Sequence, residues 1–516
     1  MSQLGFWNFA RNDPSKLALV CPDGTEVSRG ELLFSCNQLV HGLRALGLAK
    51  GDCVATVLPN GRAMIELYLA ACQAGWYLSP INHHLTAPEI AYIAGDSGAK
   101  AFVGGERFAA ACAGAMEELG FPERARFAVG EILGFRPFED LSAGQPGTMP
   151  EDRAAGAVMN YTSGTTGKPK GVRRPLPPLD PDIVAALYTG FLGMFGIKVE
   201  DGNVHLIGSP LYHTAVLMFG ACSMHMGHPV VVMDKWTPEG FLALIEKYRV
   251  TTSHMVPTQF HRLLHLPREV RGKYDCSSTR NMVHAAAPCP VEMKLAMLDW
   301  WGDCIYEYYA ATEGGGTLVT PEEWRRYPGT VGRPWVNSDI KIYDDEGNEL
   351  APGERGTVYM KLGTADFEYH RDEEKTRKSR RGGYFTVGDV GYLNQDGYLF
   401  LCDRKSDMII SGGVNIYPAE IENVLLTHPK IADVAVFGIP HADWGEEVKA
   451  VVQPVDDVET GDALSEEILA FCADKLAKYK TPRTVDYVEE MPRDPNGKLY
   501  KRKLRDPYWK GRERAI

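Results

Sequence analysis

The residues with the clearest capacity for chemistry lie in one glycine-rich loop, residues 161–172, which reads YTSGTTGKPKGV. Its glycines let the backbone approach a ligand closely, and its hydroxyls, backbone amides and lysines can bind phosphate oxygens. The glycine spacing, and the proline that follows the first lysine, are wrong for a Walker A motif. We therefore predict a different kind of phosphate loop, formed by Thr162, Ser163, Gly164, Thr165, Thr166, Gly167, Lys168, Pro169 and Lys170.

Four further segments contain groups that suit a nucleotide and its metal ion. Residues 307–313 (EYYAATE) combine aromatic rings with a Thr-Glu pair, and a glutamate oxygen is a hard ligand suited to Mg²⁺. The other three are residues 384–389 (YFTVGD), 403–422 (DRKSDMIISGGVNIYPAEIE) and 492–498 (PRDPNGK). In this order, and together with the loop, the motifs resemble those of the adenylate-forming superfamily: acyl- and aryl-CoA synthetases, luciferases and peptide-synthetase adenylation domains. The resemblance covers nearly the whole chain.

The resemblance implies a site for ATP. The loop would hold the phosphates, Thr312 would contact the α-phosphate, and Glu313 with Ser163 would bind Mg²⁺. Tyr309 is expected to stack on adenine. The other residues expected along the nucleotide are Ala286, Ala287, Glu307, Tyr308, Ala310, Ala311, Asp389 at the ribose, and Arg404 at the ribose or phosphate. Lys498 is expected to be catalytic, because its charge can attract the substrate carboxylate and the α-phosphate together.

The resemblance also implies sites for the acid and the thiol. His213, Ala310 and Gly314 are expected to line the acid pocket. Gly412, Gly413 and Val414 would line the tunnel for the thiol of coenzyme A, and Ser406 would be the hinge between two domains. The sequence departs from the family pattern where Ala285 and Ala286 replace glycines, Ala310 replaces glycine, Val387 replaces threonine and Ser406 replaces Asp or Lys. The alanine at 310 predicts a changed pocket shape with the chemistry retained.

These motifs need a scaffold, and the hydrophobic pattern predicts its class. Apolar periodicity predicts helices at 31–48, 62–74 and 215–226, and strands at 53–58, 204–208 and 252–256. Such alternation implies α/β structure, with parallel-rich sheets covered by helices and ligands bound at the carboxyl ends of the strands. Short alternating strands joined by D-E-G and Q-D-G turns predict a β-rich subdomain at about 338–402. We predict an N-terminal domain at 1–402, a hinge at 403–407 and a small mobile α+β domain at 408–516.

Composition narrows the possible classes of protein. The 516 residues carry a net charge of −12, which argues against a nucleic-acid binder. We expect neither a secretory leader nor an integral membrane segment, because no apolar run reaches the roughly 18–20 residues that span a bilayer. Eleven cysteines without a C-x-x-C pair indicate a reduced, cytoplasmic protein and give no zinc-site spacing.

We therefore predict an acid–thiol ligase that uses ATP, Mg²⁺ and coenzyme A to convert a small-molecule carboxylic acid into its acyl-CoA through an acyl-adenylate. Three alternatives stay open: an adenylation enzyme that loads a carrier protein, a luciferase-type oxygenase, and a non-catalytic nucleotide-binding relative. The expected pocket walls are mostly small or apolar, so we expect a fatty, cyclic or aryl acid. A homodimer is a family-level expectation only.

Overall fold

The computed structural model describes residues 4–162, 169–199, 202–363, 367–493 and 499–510. Within these ranges the α-helices are α1 Phe6–Asn12, α2 Arg29–Ala45, α3 Arg62–Ala74, α4 Ala87–Asp96, α5 Ala109–Glu118, α6 Pro181–Gly193, α7 Thr214–His225, α8 Pro238–Tyr248, α9 Pro257–Leu264, α10 Arg268–Arg271, α11 Val291–Trp301, α12 Pro321–Arg326, α13 Glu373–Lys378, α14 Pro418–Leu425, α15 Asp462–Ala473 and α16 Lys501–Arg505.

The strands of the first 334 residues are β1 Leu17–Val20, β2 Glu26–Ser28, β3 Cys53–Val57, β4 Tyr77–Pro80, β5 Ala99–Gly105, β6 Arg126–Val129, β7 Arg136–Pro137, β8 Ala157–Val158, β9 Asn160–Thr162, β10 Lys170–Arg173, β11 His205–Ile207, β12 Val230–Val232, β13 Thr252–Met255, β14 Asn281–His284, β15 Ile305–Ala311, β16 Gly314–Val319 and β17 Arg333–Pro334. The later strands are β18 Ser338–Tyr343, β19 Gly356–Leu362, β20 Glu368–Tyr369, β21 Arg380–Arg381, β22 Tyr384–Phe385, β23 Asp389–Leu393, β24 Leu399–Arg404, β25 Ile409–Ser411, β26 Val414–Ile416, β27 Ile431–His441, β28 Gly445–Pro454 and β29 Thr484–Tyr487.

Two large sheets form the N-terminal part. One has nine strands in the order β17-β16-β15-β14-β13-β11-β12-β1-β2, and the other has six in the order β7-β6-β5-β3-β4-β8. Strands β11, β13, β14 and β15 pair in parallel, so their carboxyl ends meet at one edge of the nine-stranded sheet. This edge carries residues 208–213, 285–289 and 312–313, which include the predicted site residues His213, Ala286, Ala287, Thr312 and Glu313.

Helix α2 shows why the predicted helices form. Ser28 and Glu31 make a capping box that satisfies free amides of the first turn. The apolar residues then recur at helical spacing, and Leu32, Cys36, Leu39, Val40 and Leu43 are all buried in the main core.

Smaller sheets complete the molecule. Strands β18, β19 and β21–β24 form an antiparallel sheet, and β9, β10 and β20 form a three-stranded one that joins the two ends of the phosphate loop to the β-rich part. Strands β25–β29 with α14 and α15 form a separate C-terminal core. The predicted fold class, an α/β N-terminal part with a β-rich segment and a small α+β C-terminal part, is confirmed. No helix among the described residues combines the length and apolarity needed to cross a membrane.

Candidate active site

Three predicted nucleotide contacts meet at the junction of β15, β23 and β24. The Tyr309 hydroxyl donates to Oδ2 of Asp389 at 2.5 Å, and Nε of Arg404 lies 3.6 Å from Oδ1 of the same carboxylate. Burial and the neighbouring Asp389 raise the pKa of Tyr309 well above its usual range, so the phenol keeps its proton. Arg404 is half exposed whereas Asp389 is largely buried. The Asp389 carboxylate, which accepts hydrogen bonds, and the Arg404 guanidinium, which is a cation, thus lie side by side.

The Thr-Glu pair lies at the carboxyl end of β15. Glu313 is buried, and its Oε1 accepts a hydrogen bond of 2.7 Å from the Tyr369 hydroxyl. The Thr312 carbonyl accepts a hydrogen bond of 2.6 Å from the Arg174 guanidinium. Arg174 directly follows β10, and Tyr369 lies in β20, which pairs with β10. The tertiary structure therefore connects the Thr-Glu turn to the strands at the base of the phosphate loop.

The donors around Glu313 fit Mg²⁺ better than a metal that needs a complete protein cage. Among the described residues there is no cluster of three or more His, Cys, Asp or Glu side chains that could hold an ion. Mg²⁺ commonly binds one or two carboxylates together with substrate phosphates and water. Glu313 can supply one such carboxylate; Ser163, the other predicted ligand, lies outside the described residues.

Most of the phosphate loop also falls outside the described residues, namely Ser163, Gly164, Thr165, Thr166, Gly167 and Lys168, as does Lys498. The strands at its base are described. Tyr161 donates to Oδ2 of Asp96 at 2.7 Å, and Nζ of Lys170 lies 3.1 Å from Oδ2 of Asp372. The Asp372 carboxylate thus gives Lys170 a partner in the protein at the base of the loop, and the predicted contact of Lys170 with phosphate stays a prediction.

Ala286 and Ala287, which are predicted to lie along the nucleotide, belong to the turn that follows β14. Ala285 is buried, whereas Ala286 is exposed and has a φ of 74°, in the left-handed region that favours glycine. Ala286 therefore has a backbone conformation that glycine adopts more readily than alanine. Ala287, the next residue, is half-buried.

Glu307 and Tyr308 differ from the predicted nucleotide contacts. The Glu307 carboxylate is buried 2.6 Å from Nζ of Lys294 and 3.4 Å from Nε2 of His284. Burial alone would raise the pKa of Glu307, but Lys294 and His284 hold that pKa at about 2. Tyr308 points to the opposite face of β15, into an aromatic cluster with Phe191. These two side chains have partners within the protein, and the predicted contact of Glu307 and Tyr308 with the nucleotide stays a prediction.

The predicted acid-binding residues lie at the start of α7 and on strands β15 and β16. Residues 209–213 are held by hydrogen bonds from the Asn60 side chain to the Ser209 carbonyl and from Asn160 to the Tyr212 carbonyl. His213 is the N-cap residue of α7 and is half-buried. Ala310 is exposed opposite Gly316, and Gly314 has a φ of 126°. The residues expected to line the acid pocket are therefore small on β15 and β16, whereas α7 begins with an imidazole.

Comparison with known proteins agrees with this geometry. The sequence model of the AMP-binding enzyme family matches residues 6–364, and that of the AMP-binding enzyme C-terminal domain matches residues 420–498. The chain belongs to the AMP-binding enzyme family. It is 31% identical to the fatty acid–[acyl-carrier-protein] ligase ScoC of Streptomyces coeruleorubidus, over 98% of this chain and 96% of that protein.

Two other members are comparably similar. The long-chain-fatty-acid–CoA ligase FadD13 of Mycobacterium tuberculosis is 32% identical, over 92% of this chain and 91% of that protein. The anthranilate CoA ligase AuaEII, solved in complex with anthranoyl-AMP, superimposes with a TM-score of 0.85 at 26% identity and covers 98% of both chains. The predicted family and the predicted class of enzyme, an ATP-dependent, AMP-forming acid–thiol ligase, are confirmed.

The predicted hinge region of this AMP-binding enzyme, residues 403–407, makes hydrogen bonds both to the β-rich part and to the C-terminal part. Strand β24 continues through Arg404, and the Lys405 amide still donates to the Gly388 carbonyl at 2.8 Å, in the β-rich part. The Ser406 carbonyl instead accepts from Arg505 of the C-terminal part at 3.4 Å. N-terminal pairing thus extends past the predicted limit at residue 402, and the contacts support Ser406 as the hinge, which stays a prediction.

The predicted thiol-tunnel residues form the tip of a hairpin. Gly412 and Gly413 have φ values of 58° and 80° and connect β25 to β26, as a two-residue type I′ turn requires. Val414 follows them and is exposed. The Gly412 amide donates to the Trp444 carbonyl at 2.9 Å. The glycine pair therefore presents backbone at the surface of the C-terminal part.

Sequence reasoning missed the residues that hold the predicted ones in place. Tyr369, Arg174, Asp96 and Asp372 each contact a motif residue, but none belongs to a motif that the sequence marks. Arg174 alone carried a signal, since it is the second residue after the phosphate loop.

Proposed function

We propose that this enzyme is an acyl-CoA synthetase that activates an apolar carboxylic acid with ATP and transfers the acyl group to coenzyme A. The observation that carries the proposal is the clustering of Tyr309, Asp389 and Arg404 beside Thr312 and Glu313. These groups lie at one end of β15, whose other face contacts an apolar cluster rich in aromatic side chains. Such an arrangement suits an acyl-adenylate, with the nucleotide on one side and the acyl group on the other.

The proposed first step joins the acid to AMP. The carboxylate attacks the α-phosphorus of ATP, and pyrophosphate leaves. Lys498 would draw the two anions together, and the turn at Thr312 would hold the α-phosphate. Bound Mg²⁺, held by Glu313 and the substrate phosphates, would neutralise charge on the leaving pyrophosphate. In the second step a thiolate attacks the acyl carbon, and AMP leaves.

The choice of coenzyme A over a carrier protein is supported by a surface beside the glycine hairpin. Trp444 is 41% exposed, the His441 ring stacks on it at 4.3 Å, and the Arg483 guanidinium lies 4.9 Å from its ring centroid. An exposed aromatic ring with an arginine suits a phosphorylated nucleotide, because the ring can stack on a base and the guanidinium can pair with phosphate. Coenzyme A carries such a nucleotide.

The experiment that tests the proposal separates the two half-reactions. Lys498→Ala should abolish acid-dependent ATP–pyrophosphate exchange but spare thioester formation from supplied acyl-AMP, because the lysine acts only while the α-phosphate is attacked. Lys503→Ala, an exposed lysine of the same basic segment, is the control and should support both half-reactions. Equal loss of both half-reactions in Lys498→Ala contradicts the assignment.

The acceptor is tested with the wild-type enzyme by comparing coenzyme A with a phosphopantetheinylated acyl carrier protein. Faster transfer to the carrier favours the alternative function. Light or peroxide formed from acyl-AMP and oxygen would indicate an oxygenase, and absence of any exchange would indicate a non-catalytic relative. All eleven cysteines are free, which supports the proposal of a reducing, cytoplasmic location. The homodimer stays a prediction.

A further inference from the structure

A buried ionic group connects the elements on either side of the turn that follows β14. Nζ of Lys294 lies 2.6 Å and Nε2 of His284 lies 3.4 Å from the same oxygen of Glu307, Oε2. The Lys294 and His284 side chains are completely buried. The Trp324 ring centroid is 4.7 Å from Nζ, and the Phe260 ring meets the His284 ring edge-on at 5.1 Å. Aromatic rings therefore shield the group from water.

The charges in this group depend on one another. Burial would raise the pKa of Glu307, but Lys294 and His284 hold that pKa at about 2, so the carboxylate is ionised. Burial lowers the pKa of His284, so the ring is neutral and can direct its one N–H at the carboxylate. Apolar side chains of similar volume often stabilise a fold as well as such a buried group does. A contribution to stability therefore does not by itself account for the group.

The three side chains come from three elements that enclose one turn. His284 ends β14 and lies directly opposite Glu307 of β15 in the parallel pairing. Lys294 lies in the first turn of α11, where its amide donates to the Pro290 carbonyl at 3.1 Å. The turn, residues 285–290, runs from the end of β14 to the start of α11. The Glu307 carboxylate thus contacts one side chain at each end of the turn.

This turn has a backbone conformation that needs support. Ala286 has a φ of 74°, which is unfavourable for an L-residue and persists only where the surrounding structure imposes it. Ala286 and Ala287 are predicted to lie along the nucleotide, and Tyr309, two residues after Glu307 on β15, is predicted to stack on adenine. The ionic group therefore links the turn to the strand that carries Tyr309, so it fixes the two predicted adenosine contacts relative to each other.

We propose that Lys294 is a positioning residue for ATP, which acts through Glu307 and the turn 285–290 on the adenosine part of the nucleotide. Because Lys294 is completely buried, it acts without touching the nucleotide. Small displacements of the groups that hold a substrate can have large effects on affinity and rate. This role rests on the predicted adenosine contacts of Ala286 and Tyr309, and it is independent of the acid and the thiol.

The experiment measures the dissociation constants of AMP and of pyrophosphate by calorimetry in the presence of Mg²⁺, since neither ligand needs an acid. Lys294→Met removes the charge and keeps much of the side-chain volume. We expect it to bind AMP about tenfold more weakly than the wild type but to bind pyrophosphate equally well, because only AMP has an adenosine part. Lys449→Met is the matched control: it removes another buried lysine, whose Nζ lies 2.5 Å from Asp486 in the C-terminal part, and should bind both ligands normally.

A second variant covers the case in which Lys294→Met does not fold. Lys294→Gln is neutral but can still donate a hydrogen bond to Glu307, so it should weaken AMP binding selectively and by a smaller factor. Unchanged AMP binding in a folded Lys294 variant, or equal weakening of AMP and pyrophosphate, overturns the role of Lys294. Absence of AMP binding in the wild type overturns it as well.

Failure of the proposed function gives a different result. A wild-type enzyme that binds AMP but forms no acyl-CoA from any acid of a broad panel contradicts the proposed function. The comparison of AMP with pyrophosphate in the Lys294 variants still decides whether this lysine positions the nucleotide.

Discussion

At the scale of single residues, the carboxylate of Glu313 is held by a side chain 56 positions away in the sequence, that of Tyr369. Partners that orient a metal ligand typically affect metal binding or activity by 10–100-fold. Tyr369→Phe removes one hydroxyl and should therefore raise the Mg²⁺ concentration that gives half-maximal pyrophosphate exchange by about tenfold. Tyr327→Phe is the control, because the Tyr327 hydroxyl makes a similar bond to Asp396 on the surface. An unchanged Mg²⁺ dependence in Tyr369→Phe would contradict the role of Glu313 as a Mg²⁺ ligand.

His225 contributes to the pH dependence of the free energy of unfolding. Nδ1 of His225 accepts a hydrogen bond of 3.1 Å from the Phe6 amide, and burial lowers the pKa of His225 from 6.5 to about 3. The unfolded chain therefore binds a proton below about pH 6.5 that the folded enzyme does not bind, so stability is complete above this pH and falls as pH decreases. Between about pH 7 and about pH 5 this histidine should remove about 2 kcal/mol.

The measurement is the thermal midpoint of His225→Asn and wild type at both pH values. Asparagine can still accept from the Phe6 amide but does not titrate, so the variant should lose about 2 kcal/mol less on acidification than the wild type does. The exposed His265 provides the control, His265→Asn, which should behave as the wild type. A His225→Asn enzyme with the acid sensitivity of the wild type would contradict the prediction.

At the scale of elements, the turn after β14 contains two adjacent alanines in opposite situations. Ala286 is exposed with a φ of 74°, where an L-residue costs roughly 1–2 kcal/mol, whereas Ala285 is buried in an ordinary conformation. Ala286→Gly removes this strain, but it also adds conformational freedom to the unfolded chain, which costs about 0.4–1 kcal/mol. The free energy of unfolding should therefore stay equal or rise. Ala285→Gly loses a buried methyl and should destabilise by about 1–2 kcal/mol. Denaturant midpoints of the two variants check this; the reverse order would contradict the turn geometry.

At the scale of the whole molecule, we predict that the C-terminal part turns at Ser406, whose carbonyl accepts from Arg505, whereas the Lys405 amide still donates to Gly388. Proline at 406 fixes φ there and restricts Lys405 to extended conformations. Ser406→Pro should therefore slow thioester formation from acyl-AMP by about tenfold or more while it affects adenylation less. Single-turnover measurements of each step test this, with Ser406→Ala as the control that keeps backbone freedom. A normal thioester step in Ser406→Pro would remove the hinge assignment.

The sequence determined the local features of this protein, because they depend on neighbouring residues. Apolar periodicity predicted α3 at its observed bounds, Arg62–Ala74, and placed α7 within one residue of Thr214–His225. The motifs predicted the family, since each is a continuous stretch whose residue types are read directly. The glycine pair 412–413, which the resemblance places along the thiol tunnel, forms the tight turn of a hairpin.

Tertiary structure decided which partner each side chain of a motif has. Glu307, Tyr308 and Tyr309 are consecutive, yet the first pairs with Lys294, the second with His254 and the third with Asp389. Alternation along a strand sends neighbours to opposite faces, but the partners on each face come from segments far away in the sequence. The motif of the phosphate loop predicted the reaction class but not the acid. Phosphate binding depends on one continuous stretch of backbone, whereas an acid pocket depends on segments that lie far apart in the sequence.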